Sequence, residues 1–274
     1  MMNKIFPNKN SMFYWWPLIE DLPIPKPKTI LVKHEGAFKG KLSYAPFRGE
    51  PDPYFDKLVE EVKKAAKEIG YPVFIRSDQT SAKFEWKNTC YVESEEQIRR
   101  NILNILEFTA MTFTLSFFGI AVREFLELDW RFTSHKGMPV AAERRYFVKD
   151  GKVICWHPYW PPASIRNPSI DNWLEVLKEL QTPTEGEVEL LTHYAELIGE
   201  RLGGYWSIDF CRHKNGTWYL TDMALGKDSY HWATCPNAPP EMLQMYGDPE
   251  DITEVLEWSR RMKELEERFK KGSV

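Results

Sequence analysis

Tyr205-Trp206-Ser207-Ile208-Asp209-Phe210-Cys211 and Thr217-Trp218-Tyr219-Leu220-Thr221-Asp222-Met223 are two strand-like runs on either side of Asn215-Gly216. An Asn-Gly pair between such runs is the strongest short-range sign of a two-residue hairpin turn. In that register Lys214 faces Thr217, Cys211 faces Leu220, and Asp209 stands directly opposite Asp222. Facing carboxylates repel each other. The pair makes most sense with a hard cation between them, and two oxygen ligands suit magnesium or calcium. Asp209 and Asp222 are therefore the candidate metal ligands; the alternative is one aspartate solvated at a strand end.

The rest of the chain is consistent with a catalytic or binding protein of one compact unit or two intimate lobes. Its 274 residues are 43% hydrophobic and 14% aromatic, enough to fill a core without staples. Lys and Arg number 36 against 40 Asp and Glu, so the net charge of −4 gives no global attraction to nucleic acid. Cys90, Cys155, Cys211 and Cys235 are widely spaced, with no CxxC and no Cys/His zinc spacing, so reduced thiols and a cytoplasmic setting are expected. Met1 to Pro7 lacks a long apolar core, so no signal peptide is expected, and the apolar run Phe108 to Val122 is too short to span a membrane.

Periodicity orders the chain. Residues 1–23 form an N-terminal aromatic segment containing Phe13-Tyr14-Trp15-Trp16-Pro17, expected to be irregular. Thr29-Ile30-Leu31-Val32 reads as a strand after Pro23, Pro25 and Pro27. Phe55, Leu58, Val59, Val62, Ala65, Ala66 and Ile69 recur at helical spacing over Asp56 to Ile69. Pro72 to Ile75 is a short buried strand, and Ser94 with Gln97 predicts a capping box opening a helix over 95–118. Asp150-Gly151 marks a second two-residue turn, pairing Glu143–Lys149 with Lys152–Pro158. A helix over 185–202 precedes the Asp-bearing hairpin, and another is expected at about 250–271. The fold class is α+β, with a lobe over 24–120 and a larger lobe with an antiparallel sheet over 121–274. A ligand would fit in the cleft between two such lobes.

Four motifs in order resemble the ATP-grasp superfamily. Leu22-Pro23-Ile24-Pro25-Lys26-Pro27-Lys28-Thr29 is similar to the LPxPxT entry to its first lobe. Tyr71-Pro72-Val73-Phe74-Ile75-Arg76 is similar to the PVxxK strand whose Lys grips the ATP phosphates. Val122-Arg123-Glu124-Phe125-Leu126 resembles the hinge strand, and Asp209 and Asp222 fall where the family places its magnesium carboxylates. The motifs are most similar to those of the eukaryotic cell-division-cycle ATP-grasp proteins, which assist assembly of translation initiation factor 2. They also resemble a phage-associated clade with Arg in place of the ATP-binding Lys, as at Arg76. Ala224 stands where the metal motif carries Asn, which leaves one or two metals open.

The resemblance implies an ATP-grasp fold with ATP and Mg2+ between its two lobes, and an ADP-forming ligase that makes an amide-type bond through an acylphosphate. Arg76 and Arg145 would be the catalytic cations, neutralising phosphate charge. For Arg145, a structural ion pair is the equal alternative. Arg76, Lys83 and Arg145 would hold phosphates, the backbone of Glu124, Phe125 and Leu126 the adenine edge, and Glu127 or Asp129 the ribose. The loop from Arg76 to Lys83 offers Ser77, Thr80 and Ser81 to phosphate oxygens, the alternative being a solvated loop. Expected partners are ATP and an acceptor that is a small molecule, peptide or protein, with no membrane. A protein-assembly chaperone and a nucleic-acid-directed modifying enzyme are the rival functions.

Overall fold

The computed structural model describes residues 7–112 and 116–232, together with Cys235 and Thr253; the helix expected at about 250–271 lies outside the described residues. Contacts divide the chain into two compact units. The first falls within Met1–Glu127 plus Tyr219–Leu225, the second within Leu128–Trp218 plus Gly226–Val274.

The N-terminal aromatic segment is not irregular: Met12–Ile19 is helix α1. Ser11 caps it by accepting the Phe13 N–H, and Met12, Trp15, Trp16 and Ile19 are buried. Burial of two indoles outweighs the hydrogen bond that Pro17 cannot make. Behind it come β1 (Thr29–Lys33), a short α2 (Glu35–Phe38) and α3 (Pro53–Ile69). Helix α3 starts three residues before the apolar repeat suggests, because Asp52 accepts the Tyr54 and Phe55 N–H groups and Pro53 occupies the first helical position. Strands β2 (Val73–Ser77) and β3 (Tyr91–Val92), helix α4 (Glu95–Met111) and β4 (Gly119–Glu124) complete the unit. The capping box expected at α4 does not form: Ser94 makes no side-chain cap, and the Gln97 carbonyl instead accepts the Glu93 N–H.

The strand order is β1-β4-β2-β3, antiparallel throughout. The apolar faces of α3 and α4 close over it. Phe55, Leu58, Val62, Ile98, Ile102 and Ile105 meet Val73, Ile75, Ile120 and Val122 in one cluster. Each large side chain in it contributes about 1.5–3 kcal/mol by leaving water. Asp78, fully buried, ties the loop after β2 to the start of α1: its carboxylate accepts the Ser11 hydroxyl and the Phe118 N–H.

In the second unit β5 (Trp130–Ser134) pairs with β6 (Met138–Ala141). A second sheet sets β7 (Glu143–Lys149) between β8 (Lys152–Pro158) and β9 (Tyr205–Arg212). Asp150-Gly151 is the expected two-residue turn, both residues at positive φ, with Lys149 facing Lys152. Helices α5 (Trp173–Gln181) and α6 (Glu185–Leu202) follow, α6 opened by a reciprocal capping box of Thr184 and Glu187.

The second hairpin departs from expectation. His213 N–H donates to Thr217 O at 2.9 Å and Gly216 N–H to His213 O at 2.8 Å, a three-residue loop in which Gly216 alone takes positive φ. Lys214 therefore does not face Thr217, and the register that set Asp209 opposite Asp222 does not follow. The last strand, β10 (Trp218–Leu225), carries Tyr219–Leu225 into the first unit, where Leu220 N–H donates to Pro25 O.

Helix α6 reaches β7 through Gly199: a Cβ there would collide with Val148 Cγ1 and sit 3.2 Å from Gly151 Cα. Gly→Ala inside a helix ordinarily stabilises by up to about 1 kcal/mol. Here Gly199→Ala is expected to destabilise by about 1–3 kcal/mol through overpacking. Urea unfolding decides the sign, and a stabilised variant would contradict this packing.

Candidate functional site

Two arginine–aspartate pairs organise the chemistry, one in each unit. Strand β2 delivers Arg76 to a position 2% exposed, where Nη1 meets Asp222 Oδ1 at 2.7 Å. Its Nε donates to Ser77 O at 3.2 Å, whereas Nη2 takes no hydrogen-bond partner among the described residues. Asp222, on the part of β10 that belongs to this unit, also accepts the Met223 N–H on Oδ1 at 2.8 Å. Its Oδ2 carries no hydrogen bond among the described residues, and the side chain keeps 30% exposure.

Arg123 is the neighbour that sequence reading passed over as part of a backbone hinge. It lies 4% exposed on β4, above the Trp16 ring, and spends all three nitrogens on Thr29 Oγ1, Thr221 O and Leu220 O. Burial, and then Arg76, pull its pKa down to about 9, with Asp222 acting the other way. It is still a cation at neutral pH. Burial pushes the Asp222 carboxyl up, but Arg76 and Lys83 outweigh it and hold Asp222 below its ordinary range. Lys83 opens the 3-10 turn Lys83–Asn88. Three cations thus bear on one carboxylate, with Asp78 the next nearest acid. Burial raises the Asp78 pKa, towards its neutral form. The locality has an excess of positive charge, which favours an anion.

The loop between Arg76 and Lys83 is neither solvated nor an open phosphate cradle at its start. Ser77 is fully buried, donates to Thr80 O, and accepts the Thr80 and Gln79 N–H groups. Glu124 ends β4 exposed and exchanges bonds with Lys28: its N–H donates to Lys28 O, and Lys28 N–H to its carboxylate. Phe125 packs its ring on Trp86 and Tyr91 at 6.3 and 4.9 Å. The peptide groups of Phe125 and Leu126, just beyond the strand, enter no hydrogen bond among the described residues.

In the second unit Arg145 and Asp209 are directly cross-strand on β7 and β9. The guanidinium forks onto the carboxylate, Nε to Oδ1 and Nη2 to Oδ2, both at 2.8 Å. Arg145 therefore sits in an ion pair, and it is Arg145 on β7 that faces Asp209. The guanidinium also donates to Tyr230 O at 3.4 Å and lies 4.7 Å from the Tyr159 ring. Asp129 is held apart from this pair, its N–H on Arg212 O and its carboxylate 3.8 Å from Arg212 Nε. Arg76, Lys83, Glu124, Phe125, Leu126 and Asp222 thus belong to the first unit, and Asp129, Arg145 and Asp209 to the second.

One cluster contradicts the sequence reading of the cysteines. Cys155 on β8, His231 and Cys235 bring two sulfurs and a ring nitrogen within 4.8 Å of one another. The available signal was His231-x3-Cys235, one half of a zinc spacing whose other ligand lies 76 positions earlier, on another element.

Removing the Asp222 carboxylate leaves Arg76 and Arg123 facing each other without it. Asp222→Ala is expected to cost on the order of 3 kcal/mol. Asp222→Asn should cost clearly less, because its amide oxygen still accepts from Met223 N–H and Arg76. Equal losses in urea unfolding would show that charge is not what holds the cluster.

The comparisons agree with this architecture. Cdc123 from Schizosaccharomyces pombe superposes with a TM-score of 0.51 at 15% identity, over 78% of this chain and 82% of that one. The RimK domain protein ATP-grasp from Sphaerobacter thermophilus matches at TM-score 0.44 and 16% identity, over 80% of this chain. This chain spans 60% of the length of that protein. No curated protein sequence matches. Residues 66–236, more than half of the chain, match the model of an ATP-grasp domain family, the third family of its clade. The chain belongs to that family, with the ATP-grasp fold it implies.

Proposed function

We propose that this protein is an ATP- and magnesium-dependent ligase, ADP-forming, that joins an acceptor carboxylate to an amine or related nucleophile through an acylphosphate. The observation that carries the reading is the cation-rich cluster of Arg76, Arg123 and Lys83 around Asp222. Arg76 keeps Nη2 for a phosphate oxygen while Nε and Nη1 are held by Ser77 O and Asp222. Arg123, with no nitrogen to spare, sets the local charge and the position of β10.

The donor set suits magnesium, which is commonly held by one or two carboxylates together with substrate phosphates and waters. Asp222 would hold it through Oδ2, the oxygen that carries no hydrogen bond. Asp209 is the second proposed ligand, its two oxygens exchanging Arg145 for the ion. Bound there, the ion would offset negative charge on the transferring phosphoryl group. The Phe125 and Leu126 peptide groups are proposed to read the adenine edge, and Asp129 to hold the ribose. In the first step an acceptor carboxylate oxygen attacks the γ-phosphorus and ADP leaves. In the second, the nucleophile attacks the acyl carbon, phosphate leaves, and an amine gives up a proton. Arg76, Lys83 and Arg145 would offset charge in the first step, which is positioning and electrostatics with no covalent enzyme intermediate.

Thermal unfolding with ATP, ATP plus magnesium, and adenosine tests the reading by linkage. A magnesium-dependent upward shift is expected in wild type and is lost in Asp209→Asn/Asp222→Asn. Arg76→Ala should weaken ATP at least tenfold and spare adenosine; equal losses for both would remove Arg76 from the phosphates. ADP release in an acceptor screen then separates a ligase from a protein that only binds nucleotide, and saturable ATP binding with no turnover across a broad screen would count against ligation.

A further inference from the structure

Away from the two arginine–aspartate pairs, the second unit gathers soft ligands that the proposed reaction does not use. Cys155 projects from β8, where it faces Phe147 of β7, and His231 and Cys235 follow the last strand. Cys155 Sγ lies 3.9 Å from His231 Nδ1. Tetrahedral zinc bonded to sulfur at about 2.3 Å and nitrogen at about 2.0 Å sets those two atoms about 3.6 Å apart. All three donor atoms fall within 4.8 Å of one another, and at that limit a shared centre is about 2.8 Å from each. A contraction of about half an ångström completes the bonds.

The surroundings orient the imidazole. His231 is 1% exposed, its ring stacks on Phe147 at 3.5 Å, and its Nε2 lies 3.0 Å from the Tyr205 hydroxyl. A partner on Nε2 fixes the ring and leaves Nδ1 directed at Cys155, the arrangement by which histidine ligands are normally held. Two thiolates also cancel the charge of a divalent ion, so the occupied site is neutral and suits burial against an apolar ring.

We propose that Cys155, His231 and Cys235 form a zinc site, with a fourth position left to water. Binding displaces the two thiol protons and makes two zinc–sulfur bonds and one zinc–nitrogen bond. Its role is to fasten the chain after the last strand onto the sheet. That segment already touches the sheet at three neighbouring points: Ser229 to Ser207, Tyr230 O to Arg145, and Trp232 N–H to His157. The ion would therefore act as a positioning element for Arg145, a few ångströms from where it is bound. A Cys155–Cys235 disulfide is the competing chemistry of the same atoms.

Reduced full-length protein, freed of metal by a chelator, is titrated with Co2+ and then Zn2+ without nucleotide. Thiolate-to-cobalt charge-transfer absorption is expected to saturate at one equivalent and to vanish as zinc displaces it, with a rise in melting temperature. Cys155→Ser and Cys235→Ser should each weaken the metal about 10–100-fold. Should those variants fold poorly, wild type gives the same answer: zinc slows alkylation mapped to Cys155 and Cys235. No stoichiometric band together with unchanged alkylation overturns the site, as does a resting Cys155–Cys235 disulfide in a protein whose reduced form takes up no metal. None of these readouts depends on ATP, so the site and the ligase reading fail separately.

Discussion

The ion pair between Arg76 and Asp222 is the constraint to which the first unit is built. A guanidinium 2% exposed needs a compensating charge, and the carboxylate 2.7 Å away supplies it. The pair joins residues 146 positions apart, one on β2 and one on the strand that returns to this unit late in the chain. Arg123 makes the arrangement costly, because a second buried guanidinium bears on the first. It is tolerated because its hydrogens are all directed at Thr29 and the carbonyls of Leu220 and Thr221. The result is a locality short of negative charge that the fold keeps in place. A phosphate entering it would relieve an imbalance, which is the sense in which an anion site is preorganised.

The second unit solves the same problem differently. Arg145 and Asp209 are cross-strand neighbours, and the fork on both carboxylate oxygens is the strongest geometry available to such a pair. The aromatic residues of β7, β8 and β9 surround it, and the chain at Tyr230 covers it through a carbonyl. Asp209 is thereby more fully engaged than Asp222, whose Oδ2 is unpaired among the described residues. Of the two carboxylates expected to hold a metal, Asp222 is the one with a donor to offer.

The sequence made the periodic elements legible, and the residues that organise them less so. The apolar repeats of α3 and α4 and the Asp150-Gly151 turn announce themselves because one interaction dominates each. Asn215-Gly216 has the same turn signature and a different outcome. There the Asn215 side chain accepts the Thr217 N–H and the His213 ring accepts the Asn215 N–H. These local bonds favour a three-residue loop over the two-residue one. Arg123 was invisible as a side chain because a strand alternation records that a residue points inward, not which distant carbonyls await it. The Cys155–His231–Cys235 cluster was hidden for the same reason: two of its ligands share a helix-like spacing, but the third comes from an edge strand.

Arg76 stands where the resemblance leads one to expect lysine, and the geometry gives a physical reason. A lysine ammonium is a single point with three hydrogens around it, so a carboxylate, a backbone carbonyl and a phosphate would crowd one nitrogen. The guanidinium spreads the same work over a plane. Nε holds Ser77 O, Nη1 holds Asp222, and Nη2 remains at the far corner. The residue can therefore be anchored and still recognise a ligand, without releasing the carboxylate. That division suits a site in which Ala224 has replaced the expected amide ligand, because the carboxylate that stays on Arg76 through Oδ1 keeps Oδ2 for a cation. Arginine here and a single well-placed carboxylate oxygen are two parts of one arrangement.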